Sequence, residues 1–160
     1  MKNSIERKID NMKIPKEKLD LILEKHKLWL EGDEEHGERA VLSSVDLSGA
    51  DLYSKDLRKV FFENVDLSWS DMRYCNLENA FFYECNFYGS DLSNSNMKLS
   101  VMSKIKMECT KALHTNLESA LFKFADIRNV NISYSNLTNA QFYISDIRNI
   151  TIEGTKGLVF

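Results

Sequence analysis

Three histidines, three cysteines and a long series of aspartates are the side chains in this 160-residue sequence with the means to do chemistry. Their spacing argues against most of it. A metal centre needs several nitrogen, sulfur or carboxylate donors brought together, whereas His26, His36 and His114 are scattered and none pairs with a cysteine or carboxylate at ligand spacing. Cys109 is the only cysteine expected to face outward, and nothing beside it marks a reactive thiol. The aspartates recur at fixed five-residue steps, which is turn chemistry rather than the paired carboxylates of a hydrolase. There is no glycine-rich phosphate loop and no nucleophile elbow. The sequence therefore predicts no catalytic residue, no metal, no cofactor, and a protein that is not an enzyme.

The elements that carry these aspartates repeat every five residues from about Ala40. Taking Leu42 as a centre and moving in fives to Ile152 gives (152 − 42)/5 + 1 = 23 positions, none of them polar. At this composition such a run has a chance probability on the order of 10⁻⁸ to 10⁻⁹. Two residues before each centre sits a small or β-branched residue, Lys55 being the one exception. The residue just before the centre is usually Asp or Asn, from Asp46 through Asn96 to Asp146. A period of five fits neither a helix nor a flat strand. It fits a chain that turns a corner every five residues and stacks on itself, large and small residues inside and polar ones in water.

This pattern resembles the pentapeptide repeat family, whose A-(D/N)-L-X-X unit reads here as Ala50-Asp51-Leu52-Tyr53-Ser54 and Ala125-Asp126-Ile127-Arg128-Asn129. The resemblance covers roughly 70% of the chain and implies an all-β solenoid: a right-handed, four-sided parallel β-helix with four pentapeptides per coil. Nearly six coils at the ~4.8 Å strand spacing would make a rod on the order of 28 Å long. Stacked coils share one core, which a single coil could not bury alone.

The expected organisation is an N-terminal arm or short helix over 1–14, a capping helix and linker over 15–37, the solenoid over 38–153 and a tail over 154–160. Pro15 suits a helix start and Gly32 a helix stop, predicting a helix from about Lys16 to Glu31. Its face of Leu19, Ile22, Leu23, Trp29 and Leu30 would cover the first coil, because a solenoid end exposes apolar residues and unpaired strand edges. His26 is expected to pack on that helix. The Gly32–Arg39 stretch reads as a solvated acidic connector. At the other end, Ile150, Ile152, Leu158, Val159 and Phe160 form an apolar tail too short for a helix. The resemblance implies a homodimer through that coil as one way of hiding it. The small Ala112 at a centre predicts a local deficit in the core.

Residues twenty apart should lie above one another on one wall. The first wall has centres Leu42, Phe62, Phe82, Met102, Phe122 and Phe142, and just before them Val41, Phe61, Phe81, Val101, Leu121 and Gln141 stand where Asp or Asn otherwise faces water. Tyr83, Phe124, Tyr143 and Ile144 project nearby. Such an outward apolar stripe is expected to mark a contact surface for an unidentified protein partner or a second copy, unless the N-terminal segment lies along it. The fourth wall stacks Asn76, Asn96, Asn116 and Asn136 as an amide ladder, with Arg58, Glu78, Lys98 and Glu118 alternating in sign beside it.

Net charge is −3: 8 basic and 9 acidic residues precede Gly37, and 13 and 15 follow, leaving −2 for the solenoid. That offers no basic footprint for direct nucleic-acid binding. No signal segment or membrane span is read, and Cys75 and Cys85, inward on opposite walls, fit buried free thiols in a cytoplasmic location. The leading expectation is thus a non-catalytic interaction module, a rigid rod presenting its apolar wall. The resemblance also implies an alternative, a DNA-mimicking modulator of DNA gyrase that protects it from quinolones. That role needs a dense negative surface in place of phosphates, about one charge per 1.7 Å of duplex axis. A structural spacer within a larger assembly is the third reading.

Overall fold

The computed structural model describes residues 12–157. Chain order is β1 (Met12–Lys13), α1 (Lys16–Glu31), β2 (Val41–Ser43), β3 (Val45–Asp46), β4 (Phe61–Glu63), β5 (Phe81–Tyr83), β6 (Val101–Ser103), β7 (Leu121–Lys123) and β8 (Gln141–Tyr143). Strands β2, β4, β5, β6, β7 and β8 form one parallel six-stranded sheet in sequence order, which is the first wall. Every pair is in the same register, residue i beside residue i+20, as in Val41 beside Phe61 and Phe81 beside Val101. Twenty residues are four pentapeptides, so the chain closes one four-sided coil per step. Single parallel bridges repeat that register on the other walls, as from Asp56 through Asn96 to Lys156 on the fourth, (156 − 56)/20 = 5 turns. The expected solenoid is present.

The centres fill its axis. Leu52, Leu57, Phe62, Leu67, Met72, Leu77, Phe82 and Phe87 are all fully buried. In the inner coils the small residues two before each centre are buried with them, and their hydroxyls are bonded rather than orphaned. Ser70, Ser90, Ser95 and Ser100 each donate from Oγ to the carbonyl three residues back, at 2.6–2.8 Å. Satisfying a buried hydroxyl locally avoids the desolvation cost it would otherwise carry. Cys75 and Cys85 are buried free thiols donating to carbonyls of the preceding coil, and burial pushes both up to about 12.

Three of the four corners are hydrogen-bonded turns. In them the carbonyl of the centre accepts from the N–H three residues on, as Leu47 from Ala50, Leu52 from Lys55 and Leu57 from Val60, at 3.0–3.2 Å. The residue two after the centre is left-handed, φ 67° at Gly49, 58° at Ser54 and 60° at Lys59, as a type II turn requires. The Asp or Asn before the centre completes the corner: its side-chain oxygen accepts from the N–H two residues on. Fourteen positions do this, from Asp46 (2.7 Å to Ser48) to Asp146 (3.2 Å to Arg148). The repeat of Asp and Asn is therefore an Asx-turn requirement.

The corner after the first wall is built differently. The strand runs one residue further, through Ser43, Glu63 and Tyr83, in place of the turn bond to the centre carbonyl. The bond up the stack from the next N–H, Ser44 to the Glu63 carbonyl at 2.9 Å, is shared with the other corners, as Gly49 to Ser68 at 2.8 Å. The residue after the centre, whose N–H an Asx side chain takes at the other corners, here lies in the strand ladder, as Glu63 beside Ser43, so the residue before the centre is free to be apolar.

At the N-terminus, α1 covers the first coil. Its limits fall where Pro15 and Gly32 place them, with Gly32 left-handed at φ 87°. Ile22 and Leu23 pack on the core and Leu19 is buried. Met12–Lys13 is a strand, within a segment expected to be an arm or short helix, and it extends the second wall by pairing Met12 with Val45 and Lys13 with Asp46. Helix and strand together terminate the stack. The connector also packs more tightly than its acidic composition suggests: a Cβ on Gly37 would lie 2.3 Å from the Trp29 backbone nitrogen.

Candidate interaction surface

Position by position, the structure puts the expected contact residues on one wall. Val41, Phe61, Phe81, Val101 and Leu121 are consecutive partners in the parallel ladder, forming one column up the first wall. Phe61 and Phe81 stack face to face, centroids 5.2 Å apart at 6°. That stacking leaves the four upper members half-buried, while Val41 is 57% exposed. Around the neighbouring corner, Phe124 and Tyr143 meet edge to face at 5.7 Å and are both exposed, as is Ile144. Tyr83 is half-buried and its hydroxyl accepts from Lys104 Nζ at 2.7 Å, so it belongs to a polar edge. Gln141 ends the column with a polar group.

The described N-terminal elements engage the end of the rod rather than this wall. Their bonds go to the first coil: Lys13 Nζ to the Ser48 carbonyl, Ile14 N–H to Asp46, His26 to Ala40 and Arg58. Trp29 lies over the His26 ring and receives Lys59 on its face, centroid distance 5.9 Å. Leu30 is half-buried on the same helix. At the other end Phe142, Ile147 and Ile150 are only partly buried and Ile152 is 39% exposed. Leu158, Val159 and Phe160 lie outside the described residues.

The fourth wall and part of the second are polar and paired, although Tyr53, Trp69, Tyr74, Tyr88, Leu99 and Tyr134 are exposed at corners. On the fourth wall each asparagine donates from Nδ2 to Oδ1 of the one below, Asn96 to Asn76, Asn116 to Asn96 and Asn136 to Asn116, at 3.1–3.3 Å. Of the charges beside it, Lys98 pairs with Glu118 at 2.9 Å, while Arg58 turns back onto Asp56. On the second wall Arg128 and Arg148 interleave with Asp126 and Asp146, and the two guanidiniums hold the Asp146 carboxyl down at about 2.

Two aromatic positions escaped the sequence reading. A Cβ on Gly89 would meet the Trp69 ring at 2.6 Å, and one on Gly154 the Tyr134 ring at 2.5 Å. Both rings lie flat over the glycine of the next coil. The signal was available: twenty residues after Trp69 and after Tyr134, glycine interrupts columns that elsewhere carry Cys109 and Asn129, or His114.

His114 stacks on Tyr134 at 5.1 Å and Cys109 is exposed. Among the described residues no group of three His, Cys, Asp or Glu side chains is placed to hold a metal ion. No described helix is long and apolar enough to cross a membrane.

A family model described as pentapeptide repeats matches residues 62–98 and 114–149, in eight copies. The chain is built of pentapeptide repeats. Among solved structures, this pentapeptide-repeat chain is similar to QnrB1, a plasmid-mediated fluoroquinolone resistance protein, with 18% identity over 74% of this chain and 83% of that one, TM-score 0.25. It is also similar to a pentapeptide repeat protein of the Arabidopsis thaliana thylakoid lumen (20% identity, 64% of this chain and 61% of that one, TM-score 0.28). A third is HetL, a pentapeptide repeat protein involved in heterocyst differentiation regulation from the cyanobacterium Nostoc (14% identity, 84% and 97%, TM-score 0.23). The chain spans less than two thirds of the thylakoid protein. No curated protein sequence matches it.

Proposed function

We propose that this pentapeptide-repeat protein is a non-catalytic, cytoplasmic interaction module whose first wall is the contact face for a partner protein or a second copy. One observation carries the reading: five consecutive rungs of that wall, Val41, Phe61, Phe81, Val101 and Leu121, are apolar at the position that faces outward. Rigid aromatic anchors on a preformed surface bind with little loss of conformational freedom. Strand propensity alone would be met equally well by threonine. That equivalence supplies the test. Phe61→Thr/Phe81→Thr retains the strand and removes the anchors, so it is expected to keep the β-rich fold while losing binding by both routes, self-association measured by light scattering and capture of a partner from source-cell lysate measured by mass spectrometry. An unchanged oligomeric mass together with an unchanged partner set would overturn the proposal.

The gyrase-modulator alternative finds less support in the surface. DNA mimicry needs unpaired negative charge, and Asp56, Asp71, Asp126 and Asp146 are each bridged by an arginine at 2.6–2.7 Å.

A further inference from the structure

Among the described residues of the cap, His26 is the one titratable side chain with no solvent exposure. Both its ring nitrogens are committed to the first coil. The Ala40 N–H donates to Nδ1 at 3.0 Å, which fixes Nδ1 as the unprotonated nitrogen. Nε2 therefore carries the proton and donates to the Arg58 carbonyl at 3.1 Å. One neutral tautomer thus bridges the start and the end of the first coil, 40 and 58, from the middle of α1. The Trp29 ring, parallel at 16° and 5.6 Å away, closes one side of it.

A second proton has no place here. It would sit on Nδ1 and point at the Ala40 N–H, turning an acceptor into a donor facing a donor. The surrounding charges pull both ways, Asp56 favouring the cation and two arginines opposing it. Arg39 and Arg58 oppose it, while Asp56 is already held by a bidentate Arg58 pair with contacts of 2.7–3.1 Å. From the adjoining corner Lys59 brings another positive charge over Trp29. The ring is buried and its pKa lies below the ordinary histidine value, burial being the main cause.

We infer that His26 is a pH-operated latch, holding α1 on the first coil when neutral and releasing it when protonated. The direction follows from linkage. With the folded pKa below the unfolded one, the contribution of the neutral ring is complete above about pH 6.5 and drains away as pH falls toward the folded value. Release uncovers Leu42, Leu47, Leu52 and Leu57 and the outer edge of β2, which has a neighbour on one side only. The solenoid ladder contains no comparable group, so it should remain closed while the cap opens.

The test is amide hydrogen exchange on the full chain at about pH 7.5 and about pH 5, corrected for intrinsic exchange, comparing α1 with the coil ladder. A tenfold or greater loss of α1 protection at the lower pH, with ladder protection held within about twofold, is the expected result. His26→Gln offers an amide donor and acceptor at every pH, and its α1 protection should not change with pH. Nitrogen-15 shifts of the wild-type ring give a readout independent of that variant, because its titration should coincide with the loss of protection. Equal α1 protection at both pH values, the same acid loss in His26→Gln, or a ring titration separated from the loss would each overturn the inference.

Discussion

The first and fourth walls share a core, a period and a register, and differ in what they show to solvent. On the fourth wall the residue before four of the centres is an asparagine, and Asn96 and Asn116 each serve their own corner and a neighbour's side chain together. On the first wall the corner makes no use of a side-chain acceptor, and the same position carries Phe61 and Phe81 in a stacked pair. The fold is thus specified by the inward residues and by Asx corners, three per coil except where Lys106, Lys111, Thr151 and Lys156 stand before the centre. The fourth corner leaves one outward column unconstrained by turn chemistry, and that column is where the sequence is free to encode a contact surface.

The largest test of this division is within one strand. Phe82→Ala removes a fully buried ring packed edge to face on Phe62 and Phe87, and is expected to cost about 3–5 kcal/mol in chemical denaturation. Phe81→Thr, one residue away and facing out, should cost no more than about 1.5 kcal/mol, the scale of one stacked aromatic pair. Comparable losses would mean that the outward column is structural after all. Next in size, Asn96→Leu places an apolar residue on the fourth wall and removes three bonds at once: to Asn76, from Asn116 and from the Lys98 N–H. A loss of about 1–3 kcal/mol is expected by the same measurement. A neutral result would show that the amide ladder does not distinguish the walls.

A smaller effect of opposite sign is expected at Ala112, which lines an apolar internal void of ≈ 10 Å³ with Met107, Leu117, Phe122 and Ile132. Ala112→Val should raise stability by about 0.5–1 kcal/mol, since a dry apolar void lacks contacts that the added methyls supply. The smallest effect concerns the second wall. The Asp146 carboxyl is depressed to about 2 by Arg148 and Arg128, so its stabilisation is present above about pH 4 and is lost as pH falls through about 2. Thermal melts across that window should show a shallower slope in Arg148→Ala than in wild type.

Most of the fold was legible because it is periodic. Steps of five fixed the centres and steps of twenty fixed the walls, so the asparagine ladder and the apolar column could be placed before any coordinate. The helix limits followed from Pro15 and Gly32, and the void at Ala112 from the one small residue among large centres. What stayed hidden is aperiodic. Met12 pairs with Val45 at a separation of 45 − 12 = 33 residues, which is no multiple of the coil. His26 reaches Ala40 and Arg58 across loops that carry no spacing signal, so it read as a packed helix residue rather than a bridge. The left-handed residue in every corner was equally hard to see, because Trp69, Phe124 and Ile144 occupy it as well as asparagine does.

The most direct measurement is site-specific photo-crosslinking in the source cell, with a photoreactive phenylalanine analogue at position 81 on the first wall and, separately, at position 96 on the fourth. A discrete adduct, with a partner protein or a second copy, from position 81 and none from position 96 is the predicted result. Adducts of equal yield from both walls, or none from position 81, would contradict the assignment of the first wall as the contact surface.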